Sequence, residues 1–89
     1  MKAIITVLGT DKVGIIAKVC NYLADRNINI LDISQTIVQG YFNMLMIVEV
    51  NNNQDDFPQL AEGIEQLGDA IGVVIKMQHE DIFNSMHRI

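Results

Sequence analysis

Two serines, Ser34 and Ser85, one cysteine, Cys20, and two histidines, His79 and His87, are the side chains here best suited to nucleophilic or metal chemistry. Neither serine stands in the glycine-flanked strand-to-helix setting that exposes a nucleophile. Cys20 shares a helical apolar spacing with Ile16, Val19 and Leu23 and reads as a small core residue. His79 and His87, with Glu80 and Asp81 beside the first, lack tight ligand spacing, and a helical tail would set the rings about two turns apart, a poor metal site. Met44, Met46 and Met77 read as core or interface filler rather than as a binding surface. What remains is Gly9-Thr10-Asp11-Lys12-Val13-Gly14. It lacks the Gly-Lys-Ser/Thr ending with which a phosphate loop holds a nucleotide. It is a glycine-bounded break between a strand pattern and a helix pattern, and the leading candidate for contact with a ligand. With no nucleophile paired to a base, the expectation is a protein that is not an enzyme, with no cofactor and no resident metal.

The elements around that break follow from periodicity. Residues 2–8 are mostly β-branched or apolar and predict a strand. Ile16, Val19, Cys20 and Leu23 then recur at i, i+3, i+4 and i+7, an apolar helix face that Asp25-Arg26-Asn27 ends. Residues 28–38 resume a strand, with Leu31, Ile33 and Ile37 on one face and Asp32, Ser34 and Thr36 on the other. Gln39-Gly40 turns the chain. Residues 42–50 place Phe42, Met44, Met46, Val48 and Val50 on one face and Leu45 and Ile47 on the other. The polar run 51–56 reads as a loop. Asp56 and Gln59 have capping-box spacing, and Pro58 suits a first turn. Phe57, Leu60, Ala61, Ile64 and Leu67 form a second helical stripe that Gly68 is placed to end. Residues 71–78 return to a strand. Ile82, Phe83, Met86 and Ile89 predict a short C-terminal helix within a tail at 80–89. The order βαββαβ, with right-handed crossovers, predicts an α+β, ferredoxin-like sandwich: a four-stranded antiparallel sheet with two helices on one face.

Bulk properties restrict the function classes. The 89 residues make a single domain, 1–89. The first eight residues carry an apolar stretch too short for a signal peptide, and no run approaches the roughly 18 apolar residues of a membrane span. Hydrophobic residues make up 49% of the chain, at the upper end for a domain of this size, and two helices cover only one sheet face. The surplus predicts a homodimer or higher homo-oligomer. A net charge of −5, with six scattered Lys and Arg, disfavours direct binding to nucleic acid. A single cysteine fits a reducing, cytoplasmic setting.

The turn Asp11-Lys12-Val13-Gly14-Ile15-Ile16-Ala17, together with Asn27-Ile28-Asn29-Ile30 opening the second strand, resembles the ACT domain, a family of small βαββαβ regulatory modules. Over its whole length the chain is similar to free-standing bacterial and archaeal ACT proteins of the UPF0237 type, where a tail like Asp81–Ile89 recurs. A related group pairs two ACT domains and acts as repressor accessories for glycine cleavage. The resemblance implies an amino acid or similar metabolite held between two domains and acting allosterically. One domain would supply the loop after the first strand and its partner the start of the second strand. Carried onto this chain, that selects Asp11, Lys12, Val13, Gly14 and Ile15, with Asn29 of a partner. Backbone N–H groups near Val13 to Ile15 suit a carboxylate at a helix N-terminus. Gly14 permits close approach, Asp11 suits an ammonium, and the Asn29 amide suits either group. Some amino-acid-binding members carry a neutral amide where this chain has Asp11, which alters the charge of the pocket.

Plainer roles stand beside these. Gly14 reads first as a glycine for tight packing of helix on sheet. Asp11 is an apt helix cap, Asn29 an apt partner for backbone groups at a strand start, and Lys12 a solvated loop charge. The face of Asp32, Ser34 and Thr36 is most simply solvent-facing or interfacial. The alternative function is a protein–protein adaptor, or an accessory to a transcription regulator, with no small ligand.

Overall fold

β-Branched and apolar side chains crowd the first ten residues, and in the computed structural model they form an extended strand, β1 (Lys2–Thr10). The structure describes residues 2–10, 14–50 and 57–80. After β1 come α1 (Ile15–Asp25), β2 (Ile28–Val38), β3 (Tyr41–Val50), α2 (Phe57–Ile71) and β4 (Val74–His79). The strands form an antiparallel sheet in the order β2-β3-β1-β4. Each helix therefore crosses between strands separated by one neighbour, which is the ferredoxin-like α+β sandwich expected from the periodicity.

Each helix buries one stripe. α1 buries Ile15, Val19 and Leu23, and α2 buries Leu60, Ile64 and Gly68. These meet Ala3, Ile5 and Val7 of β1, Phe42, Met44, Met46, Val48 and Val50 of β3, and Ile75 and Met77 of β4. The three methionines are core residues, as their apolar context suggested. Cys20 packs against this core but stays half-buried, with its thiol free.

Three local features depart from the periodicity, and the turn at Gln39-Gly40 keeps to it. β1 runs on through Gly9 to Thr10 instead of breaking at Gly9. Gly68 lies inside α2, which continues to Ile71 and ends at Gly72 with a positive φ of 80°. The Val73 N–H donates to the Gly68 carbonyl at 2.9 Å, six residues closing one turn, so Gly68 is the last-turn acceptor of a Schellman ending rather than its stop. In β2 a bulge between Ile30 and Asp32 leaves Leu31 outside the register. Ile33 and Ile37 thereby join Ile28 and Ile30 on the helix side, opposite Met46 and Phe42, instead of sharing a face with Leu31. The β2–β3 turn places Gln39 and Gly40 at φ 50° and 83°, the double left-handed geometry of a type I′ hairpin.

The opposite face of the sheet has no helix. By register it carries Asn29, Asp32, Ser34, Thr36 and Val38 of β2, and Tyr41, Asn43, Leu45, Ile47 and Glu49 of β3. β1 adds Lys2, Ile4, Thr6 and Leu8, and β4 adds Val74, Lys76 and Gln78. Ile4 is nevertheless buried, while Leu8, Val38, Tyr41 and Val74 are exposed. No described helix is long and apolar enough to cross a membrane.

Candidate functional site

The start of α1 is built around Gly14. Its φ of 89° and ψ of −2° put the helix N-cap in the left-handed region, and its carbonyl accepts the first helical bond from the Lys18 N–H at 3.0 Å. A Cβ at Gly14 would meet nothing within 4 Å. Tight helix-on-sheet packing is therefore not why glycine stands here; the dihedral is. The N-cap residue has no side chain to occupy the first N–H groups of α1, and the first turn carries no acidic residue. The first N–H groups of a helix and its positive end suit an anion such as a carboxylate in general. Ile15, also among the selected residues, is 3% exposed and anchors the helix in the core, which takes its side chain out of reach of a ligand. Asp11, Lys12 and Val13 lie outside the described residues, as do the capping position Asp56 and the tail 81–89 with Ser85 and His87.

Asn29 is exposed, on the helix-free face, at the opposite end of the molecule. It pairs in register with Glu49, which in turn pairs with Lys2. The amino-terminal ammonium, and to a lesser degree Lys2, holds the Glu49 carboxyl below its ordinary value. From the Lys2 row to Thr10, where β1 delivers the chain toward Gly14, β1 advances eight residues, about 26 Å at ~3.3 Å each. The 11-residue α1 then returns over about 16 Å toward β2. Gly14 and Asn29 thus mark the two ends of one helix, and a single copy does not bring them together.

β2 supplies the other half of the geometry. It is an edge strand, and every residue from Leu31 to Val38 is exposed, among them Ile33, Ile37 and Val38. An edge this long is a ready template for pairing.

Two clefts escaped the sequence reading. One, of about 570 Å³, lies between the end of α1 and the first half of α2 and is lined by Tyr22, Asp25, Arg26, Asn27, Gln59 and Gly63 among others. Its wall is organised by Arg26, whose guanidinium stacks 3.6 Å from the Tyr22 ring centre and donates from Nη1 to the Tyr22 carbonyl at 3.2 Å. The second, of about 490 Å³, gathers Leu8, Thr10, Tyr41, Asp69, Gly72 and Val74 at the Gly14 end of the sheet. Both draw on residues more than thirty positions apart, which no spacing rule connects. Among the described residues no group of three His, Cys, Asp or Glu is placed to hold a metal ion, and His79 instead meets Phe57 edge to face at 6.1 Å.

Comparison with known proteins places this architecture. The family described as ACT domain matches residues 2–78. A UPF0237 protein of Bifidobacterium longum is 60% identical over 88 residues, covering 99% of this chain and 98% of its own. An ACT domain protein from Streptococcus pneumoniae superposes with a TM-score of 0.84 at 44% identity, over 93% of each chain. The regulatory subunit of aspartate kinase from Thermus thermophilus superposes with a TM-score of 0.67 at 28% identity, over 89% of this chain and 51% of that one.

Proposed function

The chain belongs to the ACT domain family, and we propose that it is a small regulatory module that binds an amino acid or similar metabolite between two copies of itself. The observation that carries this reading is the separation of Gly14 and Asn29 within one copy, together with the exposed edge β2. If two β2 edges pair antiparallel about a two-fold axis, the start of one β2 lies beside the end of the other. The end of β2 at Val38 pairs with Tyr41, which pairs with Thr10, so it belongs to the Gly14 end of its own sheet. Such pairing brings the start of one β2, and with it Asn29, to the Gly14 end of the partner's sheet. The N–H groups at the α1 start then take a carboxylate, Asp11 an ammonium, and Asn29 either group. The likeness to a regulatory subunit of aspartate kinase supports a regulatory role. Regulation requires that the ligand bind one state of the pair more tightly than another. The protein on this reading is a single domain, cytoplasmic and not an enzyme.

A thermal-shift screen of the common amino acids tests the proposal. A ligand at 100 times its dissociation constant adds about 2.7 kcal/mol of stability. The expected result is a shift with a small set of amino acids that Asn29→Ala abolishes in a chain still folded. No shift with any of them overturns the amino-acid reading.

The adaptor reading retains one specific support, the exposed Ile33, Ile37 and Val38 on β2. Recovery of a stable hetero-partner without metabolites, lost on Ile37→Lys, is the result that favours it.

A further inference from the structure

The cleft at the Gly14 end of the sheet has a chemistry of its own. Its floor is the close approach of β1 to the α2–β4 turn. A Cβ on Gly9 would stand 2.5 Å from Val73 Cγ1, so only glycine lets the two segments meet. Its walls are Leu8, Val74 and Tyr41, which are 50%, 56% and 59% exposed. Three large apolar or aromatic side chains left in solvent around one concavity are costly for a small domain unless something covers them. The cleft's volume of about 490 Å³ lies within the range of small-molecule sites.

Charge selects among ligands. Asp69 is the only Asp, Glu, Lys or Arg among the described lining residues. It stands in the last turns of α2, whose C-terminal end is negative, and the last turn contains no basic residue to offset it. An acid there works against the helix end, and nothing in the last turn offsets it. A cation in the cleft relieves both the carboxylate and the helix end, and the exposed Tyr41 ring offers it an aromatic face. A carboxylate ligand would meet repulsion from the same groups.

We propose that the cleft formed by Leu8, Thr10, Tyr41, Asp69, Gly72 and Val74 binds an organic cation: a primary amine carried on an apolar body. The ammonium sits between the Asp69 carboxylate and the Tyr41 ring, and the apolar body covers Leu8 and Val74. This site uses neither Asn29 nor the N–H groups of α1, so it stands whether or not the shared amino-acid site does.

The test is an NMR titration of the full chain with phenethylammonium, with phenylacetate as the anionic counterpart of the same shape. Phenethylammonium is expected to shift the backbone resonances of Leu8, Thr10, Tyr41, Gly72 and Val74, and phenylacetate to leave them in place. Asp69→Asn is expected to weaken binding roughly fivefold, the upper end for an exposed charge pair. Tyr41→Leu, which keeps the apolar wall and removes the ring, weakens it severalfold, whereas Tyr41→Phe retains it. Shifts of equal size with phenylacetate, an affinity unchanged in a folded Asp69→Asn variant, or no shift at these residues because a second copy covers them would each overturn the proposal. The outcome is separable from the amino-acid screen, because Asn29→Ala leaves phenethylammonium binding intact.

Discussion

Val73 and Gly68 are locked together twice. The Val73 N–H donates to the Gly68 carbonyl at 2.9 Å, and the Val73 carbonyl oxygen stands 2.8 Å from where a Cβ on Gly68 would be. The same hypothetical Cβ would lie 2.9 Å from Ile75 Cγ1 and 3.1 Å from the Ile75 nitrogen. The turn that delivers β4 to the sheet therefore packs directly on the backbone of α2.

Gly68→Ala is expected to destabilise the protein. Alanine gains about 1 kcal/mol in helix propensity, but the obstructing atoms include backbone that cannot step aside, and overpacking of that kind costs about 1–3 kcal/mol. The expected net effect is a loss of up to about 2 kcal/mol by urea denaturation. A Gly68→Ala variant as stable as the parent would show that the α2–β4 packing yields freely.

Gly63 offers a contrast on the same helix. A Cβ there would collide with the Tyr22 hydroxyl oxygen but stay 3.4 Å from the ring carbon bearing it. The obstruction is one atom at the tip of a side chain. Gly63→Ala should gain little or nothing alone, because displacing the phenol disturbs its stacking with Arg26. In a Tyr22→Phe background the same change should stabilise by about 1 kcal/mol, the helix propensity of alanine over glycine. A double-mutant cycle read by denaturation measures this coupling, and strict additivity would contradict it.

Gly14 is constrained by its dihedral, with open space where a side chain would go. Gly14→Ala is expected to cost about 1–2 kcal/mol, the penalty of a left-handed residue that bears a Cβ. Gly14→Asn should cost less, because asparagine tolerates that region. Thermal denaturation of the two variants gives the order. An alanine variant as stable as the asparagine variant would mean that the N-cap relaxes out of the left-handed conformation.

Most of the fold is legible in the sequence. The 3.6-residue spacing of Val19 and Leu23, and of Leu60 and Ile64, fixes which helix faces go inward, and the alternation from Phe42 to Val50 does the same for β3. Periodicity is a one-dimensional record of burial, so it reports such faces directly. It failed where one residue answers to something distant. Gly68 resembled a helix stop because glycine is common there, yet its role is set by Val73 and Ile75 packing across it. Leu31 fell into the wrong alternation because a bulge adds a residue to one strand and changes the face of all that follow. Gly14 was given a packing role when its backbone dihedral decided the matter.

The candidate site divides in the same way. Sequence alone determined the βαββαβ order, the helix that opens after Gly14, and the short supply of positive charge, because each depends on residue type and local spacing. Only the tertiary structure decided that Gly14 and Asn29 lie at opposite ends of one copy, that β2 is an exposed edge, and that Tyr41 and Asp69 border the same cleft. Those relations arise from the strand order β2-β3-β1-β4, which sets distant segments side by side through backbone pairing. Pairing between strands leaves no mark in the spacing of either strand by itself.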